Sequence, residues 1–254
     1  MNIFCTDLDN TIIYSYKHDI DKNKINVEKY QGREISFASE YTLSLLKQVR
    51  EEMMIIPTST RTEQQYNRID LKIGQIEYAL VCNGGVLLIN GARDEEWYQE
   101  SLLLIEESKT ELKRAIKLLE TDVRREFELR FIDDLFVFTK CDYPKEVVED
   151  LKRSLDTEYV KIFNNGVKVY VVPSNLSKGT AIKRLRNRFN PKYIIAAGDS
   201  EFDVSMVEEA DYGLVPAGFV KTFGVNKKVF ETEEGMLFSD ELLKKCLKIN
   251  AELK

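Results

Sequence analysis

Asp7 and Asp9 stand two residues apart in Phe4-Cys5-Thr6-Asp7-Leu8-Asp9-Asn10-Thr11, directly after an apolar run. Further along come Thr58-Ser59-Thr60-Arg61, Asn83-Gly84-Gly85, Lys178 and Gly198-Asp199-Ser200-Glu201-Phe202-Asp203. Each piece has an ordinary reading. Asp and Asn are common in turns and helix caps, Ser59 and Thr62 suit a helix start, and Asp203 suits a first helical turn. Asn83-Gly84-Gly85 suits a plain turn. Together the pieces allow other chemistry. Asp7, Asp9, Asp199 and Asp203 in one cleft would repel and raise each other's pKa unless a cation joined them. Oxygen ligands without histidine or thiolate point to Mg²⁺. Lys178 lies where a helix begins, and the macrodipole disfavours a cation there unless an anion arrives. With nearby hydroxyls and backbone N–H groups it suits a phosphoryl group, which carries about −1.5 to −2 charges at neutral pH.

A parallel α/β sheet would bring these groups together, because ligands bind beyond the carboxyl ends of its strands. Met1–Thr6 reads as a strand ending at the two acids. The polar stretch Tyr14–Ser39, with alternation in Lys24-Ile25-Asn26-Val27-Glu28 and Glu34-Ile35-Ser36-Phe37, reads as a hairpin or flap and a candidate gate. Glu40–Met53 has helical periodicity, and Met53–Ile56 is a short buried strand. Thr62-Glu63 opens a helix expected to carry Tyr66, Ile69 and Ile73. Tyr78–Cys82 is another strand. Alternation then lapses, and paired strands follow at Gly85–Asn90, Phe127–Ile132 with Leu135–Thr139, and Val160–Phe163 with Val167–Val172. Asn164-Asn165-Gly166 marks the last hairpin, and helices are expected over Leu102–Glu120 and Lys145–Leu155. Strand–helix alternation resumes with a helix Gly179–Phe189, a strand Tyr193–Ala197, a helix Val204–Glu209 and a strand near Tyr212–Val215. The expected architecture is a Rossmann-like parallel-sheet α/β core, residues 1–82 and 176–254, with an α+β domain, residues 83–175, inserted between its halves.

Composition narrows the chemistry. The 254 residues carry a formal charge of −6, which argues against a nucleic-acid partner. Lys183-Arg184-Leu185-Arg186-Asn187-Arg188 reads as a solvated helix face, since Ile182, Leu185 and Phe189 share the opposite side. No apolar run approaches the roughly 20 residues of a membrane helix, and Asp7 and Asp9 interrupt any leader. The four cysteines are scattered and form no CxxC pair, as in a reduced cytoplasmic protein. With His18 the single histidine, a His-rich zinc site or a Ser-His-Asp triad is not expected.

The order Asp7-Leu8-Asp9-Asn10-Thr11, Ser59, Lys178, Gly198-Asp199…Asp203 resembles the four motifs of the haloacid dehalogenase superfamily. The insert, Asn83-Gly84-Gly85 and Asn175-Leu176-Ser177-Lys178-Gly179 are similar to its class IIB branch of Cof-type, sucrose-phosphatase-like and mannosyl-phosphoglycerate-phosphatase-like enzymes. Two positions depart from that branch: Phe202 replaces the usual asparagine, and Thr58-Ser59-Thr60-Arg61 replaces threonine-glycine-arginine. The resemblance implies a Mg²⁺-dependent phosphatase in which Asp7 is the nucleophile and Asp9 the acid–base. Ser59, Thr60 and Lys178 would bind phosphoryl oxygens. The Mg²⁺ would be held by Asp7, the carbonyl of Asp9, Asp199 and Asp203. Arg61, Asn83 and Gly84 would face the substrate, a small phosphorylated metabolite such as a sugar phosphate. The cap would choose the leaving group, and the protein would act as a monomer or weak homodimer. A phosphomutase would share every core residue. A receiver-type or non-catalytic phosphate-binding module is the remaining alternative, although receivers place two acids adjacently and lack a cap.

Overall fold

The apolar run before Asp7 is a strand, Asn2–Thr6, whose Ile3, Phe4 and Cys5 have no exposed surface. Burial on both faces is what a central parallel strand requires. The computed structural model describes residues 1–20 and 23–253. They form two units, Met1–Arg93 with Lys178–Lys254, and Asp94–Ser177.

The first unit is built on a five-stranded parallel sheet in the order Phe230–Glu231, Tyr212–Val215, Tyr193–Ala197, Asn2–Thr6, Met54–Pro57. Thr6 pairs with Ala197 on one side and Pro57 on the other, so these strands end level. The Asp7 N–H donates to the Ala197 carbonyl (2.8 Å), and the Thr58 N–H to that of Thr6 (2.7 Å). Residues 7, 58 and 198 therefore leave the sheet at one edge. A parallel bridge between Thr58 and Leu80 sets strand Tyr78–Val81 beside that edge.

Helix Glu40–Glu52 starts where Ser39 accepts the Thr42 N–H (2.9 Å). It packs on Phe238–Glu252, a helix outside the sequence expectations. Leu242, Leu243, Cys246 and Ile249 of that helix bury themselves in the same core as Leu46 and Val49.

The stretch read as a flap is a three-stranded antiparallel sheet of Tyr14–Ser15, Arg33–Ser39 and Lys24–Tyr30. Its Val27 and Ala38 enter the main core. Thr62 does open a helix, with a reciprocal Thr62–Gln65 capping box, but the helix covers only Glu63–Tyr66. Ile69 lies beyond it because the chain straightens to bridge Glu28, and the Asp70 N–H donates to the Val27 carbonyl. Val86–Ile89, expected in the insert, instead pairs antiparallel with Tyr78–Val81, and the chain enters the second unit only at Asp94.

The second unit holds an antiparallel sheet ordered Val160–Asn165, Lys168–Pro173, Phe136–Lys140, Arg130–Ile132. Helices Lys109–Glu120 and Pro144–Ser154 pack on it. The single helix expected over Leu102–Glu120 is two, Glu95–Leu104 and Lys109–Glu120. The chain turns at buried Ile105, and Ser108 donates its hydroxyl to the Tyr159 carbonyl (2.8 Å). The α/β class with an inserted antiparallel unit is the architecture the sequence implies. Among the described residues no helix is long and apolar enough to cross a membrane.

Candidate active site

Asp7 extends the first strand by one hydrogen bond and keeps only 7% of its surface exposed. Its Oδ1 accepts from Lys178 Nζ at 2.5 Å, and the same ammonium donates to Asp203 Oδ1 at 2.6 Å. Lys178 is 1% exposed and is the first residue of helix Lys178–Phe189, so the chain spends a buried cation where the dipole opposes it. Two carboxylates offset that placement.

Asp203 is held from its other side. Its Oδ2 accepts from the Asp199 N–H (3.1 Å), the Ser200 N–H (3.0 Å) and the Ser200 hydroxyl (2.8 Å). This turn is tight enough to need glycine at its start, since a Cβ on Gly198 would fall 2.3 Å from the Asp203 side chain. Thr11, fully buried, places its hydroxyl 3.4 Å from Asp7 Oδ2 and 3.3 Å from Asp199 Oδ1. Carboxylate oxygens of Asp7, Asp199 and Asp203 all lie within 4.8 Å of one another.

Three acids so close outnumber the one lysine among them. Burial, then the charges of Asp203, Asp199 and Asp9, push the Asp7 carboxyl well above the usual range against the pull of Lys178. Burial and the Asp203 charge raise Asp199 to about 7. Burial would lower Lys178, but Asp203 and Asp7 outweigh it and hold the ammonium charged. An all-oxygen donor set with surplus negative charge is compatible with a divalent cation.

The carboxylate of Asp9 is not one of that close group, although its charge acts on Asp7 and Asp199. Its side chain is half exposed, and both oxygens accept from Arg61, at 2.7 Å from Nε and 2.8 Å from Nη2. Arg61 Nη1 reaches Glu28 Oε1 at 2.9 Å. Ser59 is buried and its hydroxyl accepts the Arg61 N–H (3.2 Å), while Thr60 is half-buried. The Thr58 hydroxyl turns back to the Ile56 carbonyl (3.1 Å), which leaves Ser59 as the buried hydroxyl of this loop not committed to its own strand. Asn83 and Gly84 sit in a turn with positive φ (60° and 87°), and the Asn83 N–H donates to the Ser59 carbonyl (3.0 Å). The turn thus braces the Ser59–Arg61 loop.

A family model described as haloacid dehalogenase-like hydrolase matches residues 4–215 of the sequence, spanning every acid of the cluster and Lys178. The chain belongs to the haloacid dehalogenase-like hydrolases. No curated protein matches it in sequence. Among solved structures, this hydrolase is similar to the sucrose-phosphatase of Synechocystis sp. PCC6803, solved with sucrose and phosphate. The two are 13% identical with a TM-score of 0.65, over 98% of this chain and 97% of that one. A phosphatase of the same superfamily from Bacteroides thetaiotaomicron is 15% identical (TM-score 0.57; 99% and 95% covered). A Thermotoga maritima protein is 18% identical (TM-score 0.54; 96% of each covered). These likenesses are of fold.

Within this haloacid dehalogenase-like hydrolase, two residues near the acids were not singled out from the sequence. Thr11 closes the run that begins at Asp7, so its position was legible and its contact with Asp199 was not. Glu28 lies in a strand whose alternation would set it opposite Val27. Irregular register on both sides of Glu28 instead buries Val27 and Glu28 together. Burial would raise the Glu28 carboxyl, but hydrogen bonds from Arg61 and Ser36, and the Arg61 charge, hold it below the usual range.

Proposed function

We propose that this hydrolase releases inorganic phosphate from a small phosphorylated metabolite through an aspartyl-phosphate. The observation that carries the reading is the buried Lys178 ammonium held between Asp7 and Asp203, with Asp199 beside them. Lysine next to a carboxylate makes a site for a phosphoryl oxygen, and the carboxylate supplies the nucleophile.

Asp7 attacks phosphorus and the P–O bond to the leaving alcohol breaks, while Asp9 gives that alcohol its proton. Asp9 then takes a proton from water, which attacks the phosphorus of the aspartyl-phosphate and frees phosphate and Asp7. Ser59, Thr60 and Lys178 hold phosphoryl oxygens throughout. Asp7, the Asp9 carbonyl, Asp199 and Asp203 would hold Mg²⁺, whose charge offsets that of the acids and the phosphoryl group. Arg61, and Asn83 and Gly84 in the turn that braces its loop, would face the substrate. Choice of the leaving group is assigned to the inserted unit. The sucrose and phosphate bound by the Synechocystis enzyme make sugar phosphates the first class to test.

A screen of phosphorylated metabolites for free phosphate, with Mg²⁺ and with chelator, tests the reading. Mg²⁺-dependent release that falls at least about a thousandfold in Asp7→Asn is expected. Transfer of the phosphoryl group to a second hydroxyl without free phosphate would make the protein a mutase. No turnover of any substrate would overturn the reading.

A further inference from the structure

Glu28 is a charged residue with a fully buried side chain, on a strand that carries none of the acids already described. An ionised carboxylate out of water is tolerated only when paired and hydrogen-bonded. Here Oε2 accepts from the Ser36 hydroxyl at 2.6 Å. Oε1 accepts from Arg61 Nη1 at 2.9 Å and from Arg68 Nε and Nη2 at 3.1 and 2.9 Å. Asp9, Arg61, Glu28 and Arg68 thus form a chain of alternating charge that runs inward from Asp9 to Glu28 and out again at Arg68.

Within that chain Arg61 is gripped at both ends. Nε and Nη2 meet the two oxygens of Asp9, and Nη1 meets Glu28. A planar guanidinium fixed at its far nitrogen presents its near edge in one orientation only. Without Glu28, Arg61 would keep an attraction to Asp9 but lose the constraint that makes the contact side-on. Proton transfer to a leaving oxygen needs the acid within a hydrogen bond of it, and a misplacement of about 1 Å can cost on the order of a hundredfold.

We propose that Glu28 is a positioning residue, which acts through Arg61 to fix the orientation of the Asp9 carboxyl, the group read above as the acid–base. The three-stranded sheet of Tyr14–Ser39 is then a brace for the acid–base step. The proposal rests on the reading of Asp9 as the acid–base of a phosphatase.

The leaving group provides the readout. An alkoxide needs a proton to depart, whereas 4-nitrophenolate does not, and kcat/KM reports the steps up to formation of the aspartyl-phosphate. Wild type and Glu28→Gln would be compared on the best alkyl phosphate of the screen and on 4-nitrophenyl phosphate. The expected result is a fall of about tenfold or more in kcat/KM for the alkyl phosphate and less than about threefold for the aryl one. A general loss of folded protein would lower both alike, and equal losses, or none, overturn the positioning role. Thermal melting shows whether Glu28→Gln folds. If it does not, Ser36→Ala decides, since it removes only the hydrogen bond to Oε2. It should show the same bias at about threefold, and equal effects on both substrates overturn the proposal. A wild type that releases phosphate from neither substrate overturns the phosphatase reading and this role with it. A wild type active on both, with variants that show no bias, overturns this role alone.

Discussion

Lys178 and the carboxylates of Asp7 and Asp203 are the closest set of charges at the site, with one cation 2.5 and 2.6 Å from two acids. None of the three is more than 10% exposed at its side chain. Removing one partner from such a group leaves an uncompensated buried charge, at a cost of about 3–5 kcal/mol. Lys178→Met should therefore lower the free energy of unfolding at pH 8 by several kcal/mol, on the order of that range, as read by urea denaturation. The loss should shrink at pH 5. Asp7 already tends toward protonation, and without the ammonium it can neutralise itself by taking up a proton. An equal loss at both pH values would mean that Lys178 acts through its aliphatic stem rather than its charge.

At the scale of elements, the helix that begins with Lys178 meets the helix Val204–Glu209, which follows the Asp203 turn. Their approach depends on Gly179, where a Cβ would lie 2.4 Å from the Ser205 carbonyl oxygen. The Gly179 N–H also donates to the Ser205 hydroxyl at 3.1 Å. Alanine would gain up to about 1 kcal/mol of helix propensity. The clash is with backbone, however, and cannot be relieved by a rotamer change. Gly179→Ala should lower stability by about 1–3 kcal/mol in urea titrations. It should also weaken catalysis, since the displaced helix carries Lys178. A stabilised variant would show that the two helices have room to part.

Across the molecule, the site's surplus negative charge is a linkage problem. Asp199 is held at about 7, with burial as the leading cause, against about 4 in an unfolded chain. Between those values the folded protein binds more protons than the unfolded one, so its stability without a divalent cation falls as pH rises from about 4 to 7. Asp7, raised in the same direction, adds to the decline. Melting in chelator should occur at a lower temperature at pH 8 than at pH 5. Mg²⁺ should raise the pH 8 value more than the pH 5 one, because it binds the ionised acids. At a hundred times its Kd the gain is about 2.7 kcal/mol. A melting temperature at pH 8 that ignores Mg²⁺ would count against a cation at the Asp7, Asp199 and Asp203 cluster.

Much of the fold was legible because its signals are local. Tyr193–Ala197 and Val204–Glu209 have the limits their sequence pattern predicts, the acids and hydroxyls follow strand ends where an α/β sheet opens its cleft, and Lys178 opens a helix. Residue type and periodicity report which face a side chain takes and what chemistry it can do. Other features depended on chain remote in sequence. Lys178 meets Asp7 across 171 residues, and Ile69 leaves its helix to bridge Glu28. Helix Glu95–Leu104 ends at buried Ile105 before a second helix begins. The inward turn of Glu28 comes from an irregular register between two strands, which no alternation within one strand can reveal. The sequence by itself determined the chemical groups and the sheet edge that gathers them. The tertiary structure alone decided which charges pair, because pairing is set by register and burial against elements far along the chain.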